Sequence, residues 1–450
     1  MSLNKEKLMA TYSMLPLILR FSLPCIAAQL VNLLYSIVDR VFIGHIPGVG
    51  SEALAGVGVT TSVIVLITAF SAIVSTGAAP LCSIALGKGD RERALSIMGN
   101  GAILLVCFAL LTSVIVYCFM TPLLTAIGAS ENTLPYAEQY LSVYLWGTLF
   151  ALLSLGLNTF ITLQGRAEIA MWVIVIGAVL NIVLDYIFIQ ILGMGVSGAA
   201  LATVISQGVS TTFTLLFLCS KHATLRLKMR SLIPQRAVLF STLALGVSPF
   251  IMSSTEALVG FALNSTLQHY GDIHIGAMAI IQSALLLAST PLNGFSQGFM
   301  PIISYNYGAK NRERVKECFK YAFAIMTFSN LAIILFIILA PTAVASLFTN
   351  DVALINLTSH VAPTFFFGMT VFGMQRTCQS TFIALGQARI SIFIALLRKV
   401  ILLIPLIFIL SRSMGATGVY WAESISDATA AIICLSIFIF LFPRILKRNQ

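Results

Sequence analysis

"GAAPLCSIALGKGDRERA", residues 77–94, aligns without gaps to "GFMPIISYNYGAKNRERV", residues 298–315, at an offset of 221 residues (298 − 77). Each stretch is an apolar segment with an internal proline, Pro80 or Pro301, and each ends in a glycine followed by a basic turn. A match of this length within one chain indicates an internal duplication.

Shorter matches follow in the same order. "GRA" (165–167) pairs with "GQA" (386–388), and "MGVSGAA" (194–200) pairs with "MGATGVY" (414–420). Because order and predicted sidedness agree, we expect two parallel six-helix bundles, an arrangement typical of transporters that rock about a central site. The predicted division is an N-terminal bundle over 1–220, a cytoplasmic linker over 221–237 and a C-terminal bundle over 238–450.

The composition places the chain in a membrane. Of its residues, 58% are hydrophobic and only 9% are charged, whereas about 25% are charged in soluble domains. A run of about 20 apolar residues crosses a bilayer as a helix. The apolar runs here are too long and unbroken for barrel strands. The sequence therefore predicts an all-α polytopic membrane protein.

Twelve spans are predicted. Their approximate bounds are 15–38, 53–78, 94–118, 136–158, 168–190, 196–219, 238–264, 274–300, 318–340, 358–383, 390–410 and 417–442.

The basic residues indicate the orientation of the spans. Most of them lie in two inter-span loops, the middle linker and the C-terminal tail, which all fall on the same side of the membrane as the N-terminus. These residues are Lys88, Arg91, Arg93, Lys221, Arg226, Lys228, Arg230, Arg236, Lys310, Arg312, Arg314, Lys316, Arg444, Lys447 and Arg448. Cytoplasmic loops are enriched in Lys and Arg, so we expect both termini in the cytoplasm and the chain in the plasma (inner) membrane. This topology explains the net charge of +10 better than binding to nucleic acid does.

Acidic residues inside the spans are the strongest functional signal, because burying them in a membrane is costly. Asp185 follows Asn181 by four residues, so both side chains share one helix face. Asp39 in span 1, Asn158 in span 4 and Thr203 in span 6 provide further oxygens. If these residues converge, they form an oxygen-rich site that suits a hard cation such as Na⁺ or an exchangeable proton.

A structural role for these acids is the alternative: Asp39 would pair with Arg40, and Asp185 would make a packing hydrogen bond. Adjacent helical residues point in different directions, which disfavours the Asp39–Arg40 pair. The eight cysteines and five histidines show no ligand spacing. We therefore predict no metal site beyond a possible Na⁺ site, and no cofactor besides the coupling ion.

Polar residues in the second half are weaker candidates. Glu256 in span 7, with Gln282 and Asn293 in span 8, is predicted to form part of a substrate cavity or a second ion site, or else to make interhelical hydrogen bonds. Arg398 and Lys399 are expected to balance Glu423 or Asp427, mainly as a structural pairing.

The chain resembles the multidrug and toxic compound extrusion (MATE) family, and more narrowly its DinF-like and MepA-like bacterial branches. The resemblance covers nearly the whole chain and rests on "NLLYSIVDRVFIG" (32–44), "LNIVLDYIFI" (180–189), "GMGVSGAALATVISQ" (193–207), "PLNGFSQGFMPIISYNYGAKN" (291–311) and "LLRKVILLIP" (396–405).

This resemblance implies a V-shaped pair of bundles that exports organic, often cationic, compounds by alternating access, driven by inward Na⁺ or H⁺. Asp39, Asn181, Asp185, Asn158 and Thr203 match the family's cation site in the N-terminal bundle, and Tyr35 matches a cavity tyrosine. MepA-like members often have a glutamate where Asn158 stands. Glu256 resembles the seventh-span acid of the NorM-like branch. We expect a monomer that contacts membrane lipids, drugs and the coupling ion, but no nucleic acid.

Two other functions match parts of the sequence. A lipid-linked precursor flippase of the same superfamily is the main alternative, although it should have a strongly cationic cavity. "GVSG" (195–198) matches a short nucleophile pattern, but its repeat partner is "GATG" (415–418) and no histidine is expected at the same depth. The chain is therefore predicted not to be an enzyme.

Overall fold

The computed structural model describes residues 8–448, without the side chains at positions 257, 261 and 272. Helices make up nearly all of this range, and no β-strand occurs in it. Eleven helices of the described chain are long and apolar enough to cross a membrane, and one bent pair of helices makes a twelfth span. The prediction of an all-α polytopic membrane protein is confirmed.

The spans are numbered in chain order. They are α1 (Met14–Gly44), α2 (Gly50–Gly87), α3 (Arg91–Cys118), α4 (Leu134–Leu163), α5 (Ala167–Ile191), α6 (Gly195–Cys219), α7 (Arg236–Tyr270), α8 (Ile273–Gly308), α9 (Arg312–Leu339), α10 (Val352–Phe366 and Gly368–Ala384, bent by 43°), α11 (Ala388–Met414) and α12 (Ala416–Arg448).

α2 and α8 run furthest beyond their predicted ends. The second and eighth predicted spans end at 78 and 300, whereas α2 and α8 continue to Gly87 and Gly308. In α2, Pro80 lies in the first turn of the α-helical part that follows a π-helical segment, Ile73–Ala78. Proline has no N–H to donate within a helix, and the π-helical segment changes the hydrogen-bond pattern just before this position.

The duplicated stretch ends in the same turn in both halves. Gly89 and its repeat partner Lys310 both have positive φ, +78° and +59°. The next residue in each half, Asp90 or Asn311, accepts a hydrogen bond from the backbone N–H three residues later, at 3.0 and 3.3 Å. These N-caps start α3 and α9.

At this end of the molecule the two halves meet through the duplicated glycines. A Cβ on Gly87 would overlap the carbonyl oxygen of Tyr305, and a Cβ on Gly308 would overlap that of Ile84. Tyr305 and Ile84 are themselves repeat partners (305 − 84 = 221). The contact between α2 and α8 is therefore pseudo-symmetric and depends on the absence of side chains.

The buried apolar side chains of the described residues form two clusters, and α1 contributes to both. Met14, Leu17 and Phe21, near the start of α1, pack in the cluster that contains second-half residues. Ile43, near its end, packs in the first-half cluster. The Ser22 hydroxyl donates a hydrogen bond to the carbonyl of Phe295 at 3.2 Å, so the beginning of α1 is attached to α8.

The linker between the halves is attached to the first half. Asn100 in α3 donates to the carbonyl of Ile233 at 3.1 Å and accepts from the backbone N–H of Gln235 at 2.7 Å. Gln164, just after α4, accepts from the backbone N–H of Leu225 at 2.9 Å. The linker thus follows the first half until α7 begins.

Candidate functional site

A cavity of about 260 Å³ lies mainly within the first half. Its lining comes from α1, α2, α4, α5 and α6, and α8 closes one side with Gln297, Met300 and Pro301. Gln29 of α1 and Gln297 of α8 both line it, and their side-chain amides are hydrogen-bonded at 3.3 Å. The cavity therefore reaches the boundary between the two halves.

The lining is polar but uncharged. Among the described residues it contains no Asp, Glu, Lys or Arg. Its amide and hydroxyl side chains are Gln29, Asn32, Tyr35, Ser71, Ser75, Thr76, Ser154, Asn158, Thr159, Thr162, Asn181, Thr203, Ser206, Gln207, Ser210 and Gln297. Such a surface offers many hydrogen bonds and no fixed charge.

Asn181 and Thr203 line this cavity, and Asp185 follows Asn181 by one helical turn outside the lining. The Asn181 amide donates to the hydroxyl of Thr203 at 3.4 Å across α5 and α6. Asp185, one turn further along α5, is 0% exposed, and the π-helical segment Tyr186–Ile191 begins immediately after it. A π segment interrupts the regular hydrogen-bond ladder and is frequent at functional sites.

Asp39 approaches this group from α1. It interacts electrostatically with Asp185, and both carboxyl groups interact with Tyr35. Tyr35 lines the cavity and neither acid does. Tyr35 therefore lines the cavity and lies near both carboxyl groups. Tyr140 of α4 interacts electrostatically with Asp39.

Asn158 does not join this group. Its amide donates to the carbonyl of Ala170 at 3.1 Å, near the start of α5. Ala170 precedes Asn181 by eleven residues (181 − 170), roughly 16 Å of helix rise. The spacing along the chain already implies this, because Asn158 lies close to the α4–α5 turn and Asn181 lies far from it. Asn158 instead lines the other end of the cavity.

Several oxygens of this region have no partner. Among the described residues, no hydrogen-bond partner is present for Asp39 Oδ1, Asn181 Oδ1 or either carboxylate oxygen of Asp185. A buried oxygen without a donor costs free energy, so these atoms require a proton, a cation or water. Oxygen atoms are the ligands that hard cations prefer. The donor set fits Na⁺ and fits H⁺ equally well.

The second-half candidates lie elsewhere. Glu256 on α7 is exposed, and Gln282 on α8 is half-buried. The side chain of Asn293 accepts a hydrogen bond from Arg376 Nη2 at 2.6 Å. None of the three lines the cavity, so the structure does not bring them to the first-half site.

The second half holds a buried ionic cluster of its own. Arg398 Nε lies 2.6 Å from Asp427 Oδ1, and Lys399 Nζ lies 2.8 Å from Glu423 Oε1. Arg398 also reaches Glu423 at 3.7 Å. The predicted balance between these bases and acids is therefore observed.

Sequence reasoning missed Arg376. It lies in "MQRTCQS" (374–380), inside the predicted tenth span, and that position alone marks it as unusual.

Helical nearly throughout and with two related halves, the molecule has the architecture of a membrane transporter. The sequence model of the MatE family matches residues 24–187 and 249–409, one stretch in each half. The chain therefore belongs to the MatE family, and the resemblance read from its motifs is confirmed. Members of this family are transporters, not enzymes.

Curated relatives and solved structures agree with this. The multidrug export protein MepA of Staphylococcus haemolyticus is 25% identical over 427 residues, covering 95% of this chain and 94% of the relative. MepA of Staphylococcus aureus (strain MRSA252) is 25% identical over 429 residues, with the same shares covered. A MATE structure in the bent conformation superposes with a TM-score of 0.92 at 25% identity, covering 99% of each chain. A MOP superfamily transporter from Pyrococcus furiosus superposes with a TM-score of 0.90 at 24% identity, covering 98% of each.

Proposed function

We propose that this chain is a cation-coupled multidrug antiporter, in which Na⁺ or H⁺ entering at Asp39 and Asp185 drives the export of organic, often cationic, compounds. The observation that carries the proposal is the set of partnerless buried oxygens on Asp39, Asn181 and Asp185. A transporter needs a site that can be filled and emptied, and oxygens already occupied by protein donors would not provide one.

Tyr35 and the π-helical segment suggest how this site communicates with the cavity. Tyr35 interacts with both acids and lines the cavity, so filling the site changes the surroundings of a residue that substrate contacts. Tyr186–Ile191 follows Asp185 directly. Coupling requires that ion and substrate favour different conformations of the protein, and α1 with α5 is the element pair that both would act on.

The substrate is proposed to enter the polar cavity. Tyr35 and Asn158 line it, and its lack of fixed charge suits compounds of varied structure. Glu256, Gln282 and Asn293, on the second-half helices α7 and α8, lie outside this cavity and are proposed to contact substrate in another conformation of the transporter.

Proteoliposomes test this proposal. We expect Asp39→Asn and Asp185→Asn each to abolish export driven by an imposed ion gradient. Glu131→Gln removes one exposed acid and should export like the wild type. All variants should elute as monodisperse protein on size-exclusion chromatography. Wild-type export rates from either aspartate variant would refute the assignment.

The identity of the ion needs a separate measurement. Counterflow with independently imposed Na⁺ and pH gradients distinguishes the two ions. Export driven by Na⁺ at zero pH gradient assigns Na⁺, and export driven only by the pH gradient assigns H⁺. If neither the Na⁺ gradient nor the pH gradient drives export, ion coupling is refuted.

The alternative of a lipid-linked precursor flippase receives less support. A site for a pyrophosphate should contain Lys or Arg, whereas the described cavity lining contains neither. Export of drugs without any movement of a fluorescent lipid pyrophosphate across the same vesicles would separate the two functions.

We further propose that the protein is a monomer in the plasma (inner) membrane with cytoplasmic termini. The Lys- and Arg-rich turns that follow α2 and α8 support this orientation. A membrane-impermeant thiol reagent applied to whole cells should not label a cysteine introduced at Glu92, which is exposed in the first of these turns. Labelling from outside would reverse the topology.

A further inference from the structure

The side chain of Arg376 contacts α8, the second-half helix that closes one side of the cavity. It donates to Asn293, which precedes Gln297 by four residues on α8. Residues four apart share a helix face, and Gln297 lines the cavity. Arg376 is therefore about one helical turn beyond the cavity, on the face of α8 that closes it.

Arg376 has unused hydrogen-bonding capacity. Its Nη2 is bound to the neutral amide of Asn293, and among the described residues its buried Nε has no hydrogen-bond partner. No described carboxylate lies within 4.0 Å of its guanidinium. A buried guanidinium normally pairs with an acid, since an uncompensated buried charge is costly.

The acids on α12 are held by bases other than Arg376. Arg398 is held by Asp427 and Glu423, and its guanidinium lies 4.4 Å over the ring of Phe372, one turn before Arg376 on α10. Lys399 is held by Glu423. The described cluster on α10, α11 and α12 therefore has three bases and two acids, whereas the first-half site has two acids.

We propose that Arg376 binds a carboxylate of the transported compound, so that zwitterionic compounds are preferred over otherwise identical cations. The amine of such a compound faces the acidic first half, and its carboxylate faces the basic second half. The guanidinium fork matches a carboxylate in geometry and charge. This inference rests on the proposed export of organic compounds and adds the substrate class.

Glu256 is the competing partner within the chain. It interacts electrostatically with Arg376 and Arg398 but is exposed in this conformation. In the proposed complex, a carboxylate of the substrate lies beside the guanidinium of Arg376, where the carboxylate of Glu256 does not lie. Removing the charge with Glu256→Gln should therefore increase the preference for a carboxylate, because the acid that competes for Arg376 is then absent. If that variant loses the preference, Glu256 and not the substrate is the partner of Arg376.

Rhodamine B and its ethyl ester form a suitable probe pair, because both carry the same cationic dye and only rhodamine B has a free carboxylate. Affinity for purified protein can be measured by fluorescence anisotropy and export in proteoliposomes. We expect the wild type to bind rhodamine B at least about tenfold more tightly than the ester, the effect of one charge-assisted hydrogen-bonded contact. Equal affinities in the wild type would overturn the proposal without any variant.

Arg376→Gln should weaken the binding of rhodamine B about tenfold and leave the binding of the ester unchanged. Arg376→Lys, which keeps the charge without the fork, should lie between the two. Arg389→Gln removes an exposed arginine at the start of α11 and should change neither affinity. An equal loss for both dyes in Arg376→Gln would assign the residue a structural role. If the wild type exports neither dye, the proposed function itself fails, whereas export without discrimination refutes only this inference.

Discussion

The two halves share a frame but use their polar residues in opposite ways. At the offset of 221, the first-half positions of Asn181 and Asp185 correspond to Leu402 and Leu406 in the second half. The first half leaves carboxylate oxygens of Asp185 without partners. In the second half, Asp427 and Glu423 are each paired with a base through one carboxylate oxygen, and only the other oxygen of each lacks a partner among the described residues. Partnerless oxygens suit an exchangeable ligand, and paired charges suit permanent packing.

The largest effect should come from breaking the second-half pair. Asp427→Asn leaves Arg398 short of a buried counter-charge and should lower the free energy of unfolding by about 3–5 kcal/mol. Asp185→Asn removes a carboxylate that lacks partners and should change stability by less than about 1 kcal/mol. Denaturant titration of the purified variants measures both. Equal losses would mean that the two regions do not differ in the way described.

Removing both charges of the Arg398–Asp427 pair shows whether the loss of stability in Asp427→Asn comes from the unpaired arginine. Arg398→Met combined with Asp427→Leu replaces the ion pair by apolar side chains, a change that is often neutral or stabilising. We expect the double variant to recover most of the stability lost in Asp427→Asn, with Lys399 and Glu423 still paired. A double variant as unstable as the single one would show that the pair, and not the unpaired arginine, determines stability.

The contact between α2 and α8 at Gly87 and Gly308 tests whether the two halves behave alike. Gly87→Ala and Gly308→Ala each force α2 and α8 apart, and we expect each to cost about 1–3 kcal/mol. Because the contact is pseudo-symmetric, the two losses should be similar, and their combination should be less than additive. Spin labels at Glu92 and Glu313, in a cysteine-free background, should report a longer distance. Gly58→Ala is the control, because a Cβ at that position would meet no neighbouring helix or side chain within 4 Å. Unequal losses would contradict the symmetry.

The smallest effect concerns the repeated turn. Lys310 has the left-handed conformation that Gly89 has in the first half, and that conformation costs a non-glycine residue about 1–2 kcal/mol. Lys310→Gly should raise the free energy of unfolding by less than about 1 kcal/mol, since glycine also loses more entropy on folding. Gly89→Lys should lower it. A loss of stability in Lys310→Gly would show that the lysine side chain outweighs its backbone strain.

The sequence predicted the twelve spans because apolar length is a local property, and it predicted the duplication because the matching stretches are long. The rotation of each helix about its own axis was harder to predict. Whether Asp39 and Asp185 line the cavity or lie outside its lining depends on this rotation, which packing determines and periodicity does not. Grouping Asn158 with the acids ignores how far each residue lies from the α4–α5 turn. Arg376 escapes notice in the sequence because its surroundings in α10 are polar.

The division of α1 between two packing clusters affects biosynthesis. Met14, Leu17 and Phe21 are made first, but their packing partners belong to the second half, which leaves the ribosome last. The face of α1 that carries these residues therefore contacts lipid until α8 has been inserted into the membrane. Assembly of the first bundle cannot be completed as a separate early step, unlike the domain-by-domain folding usual for large chains.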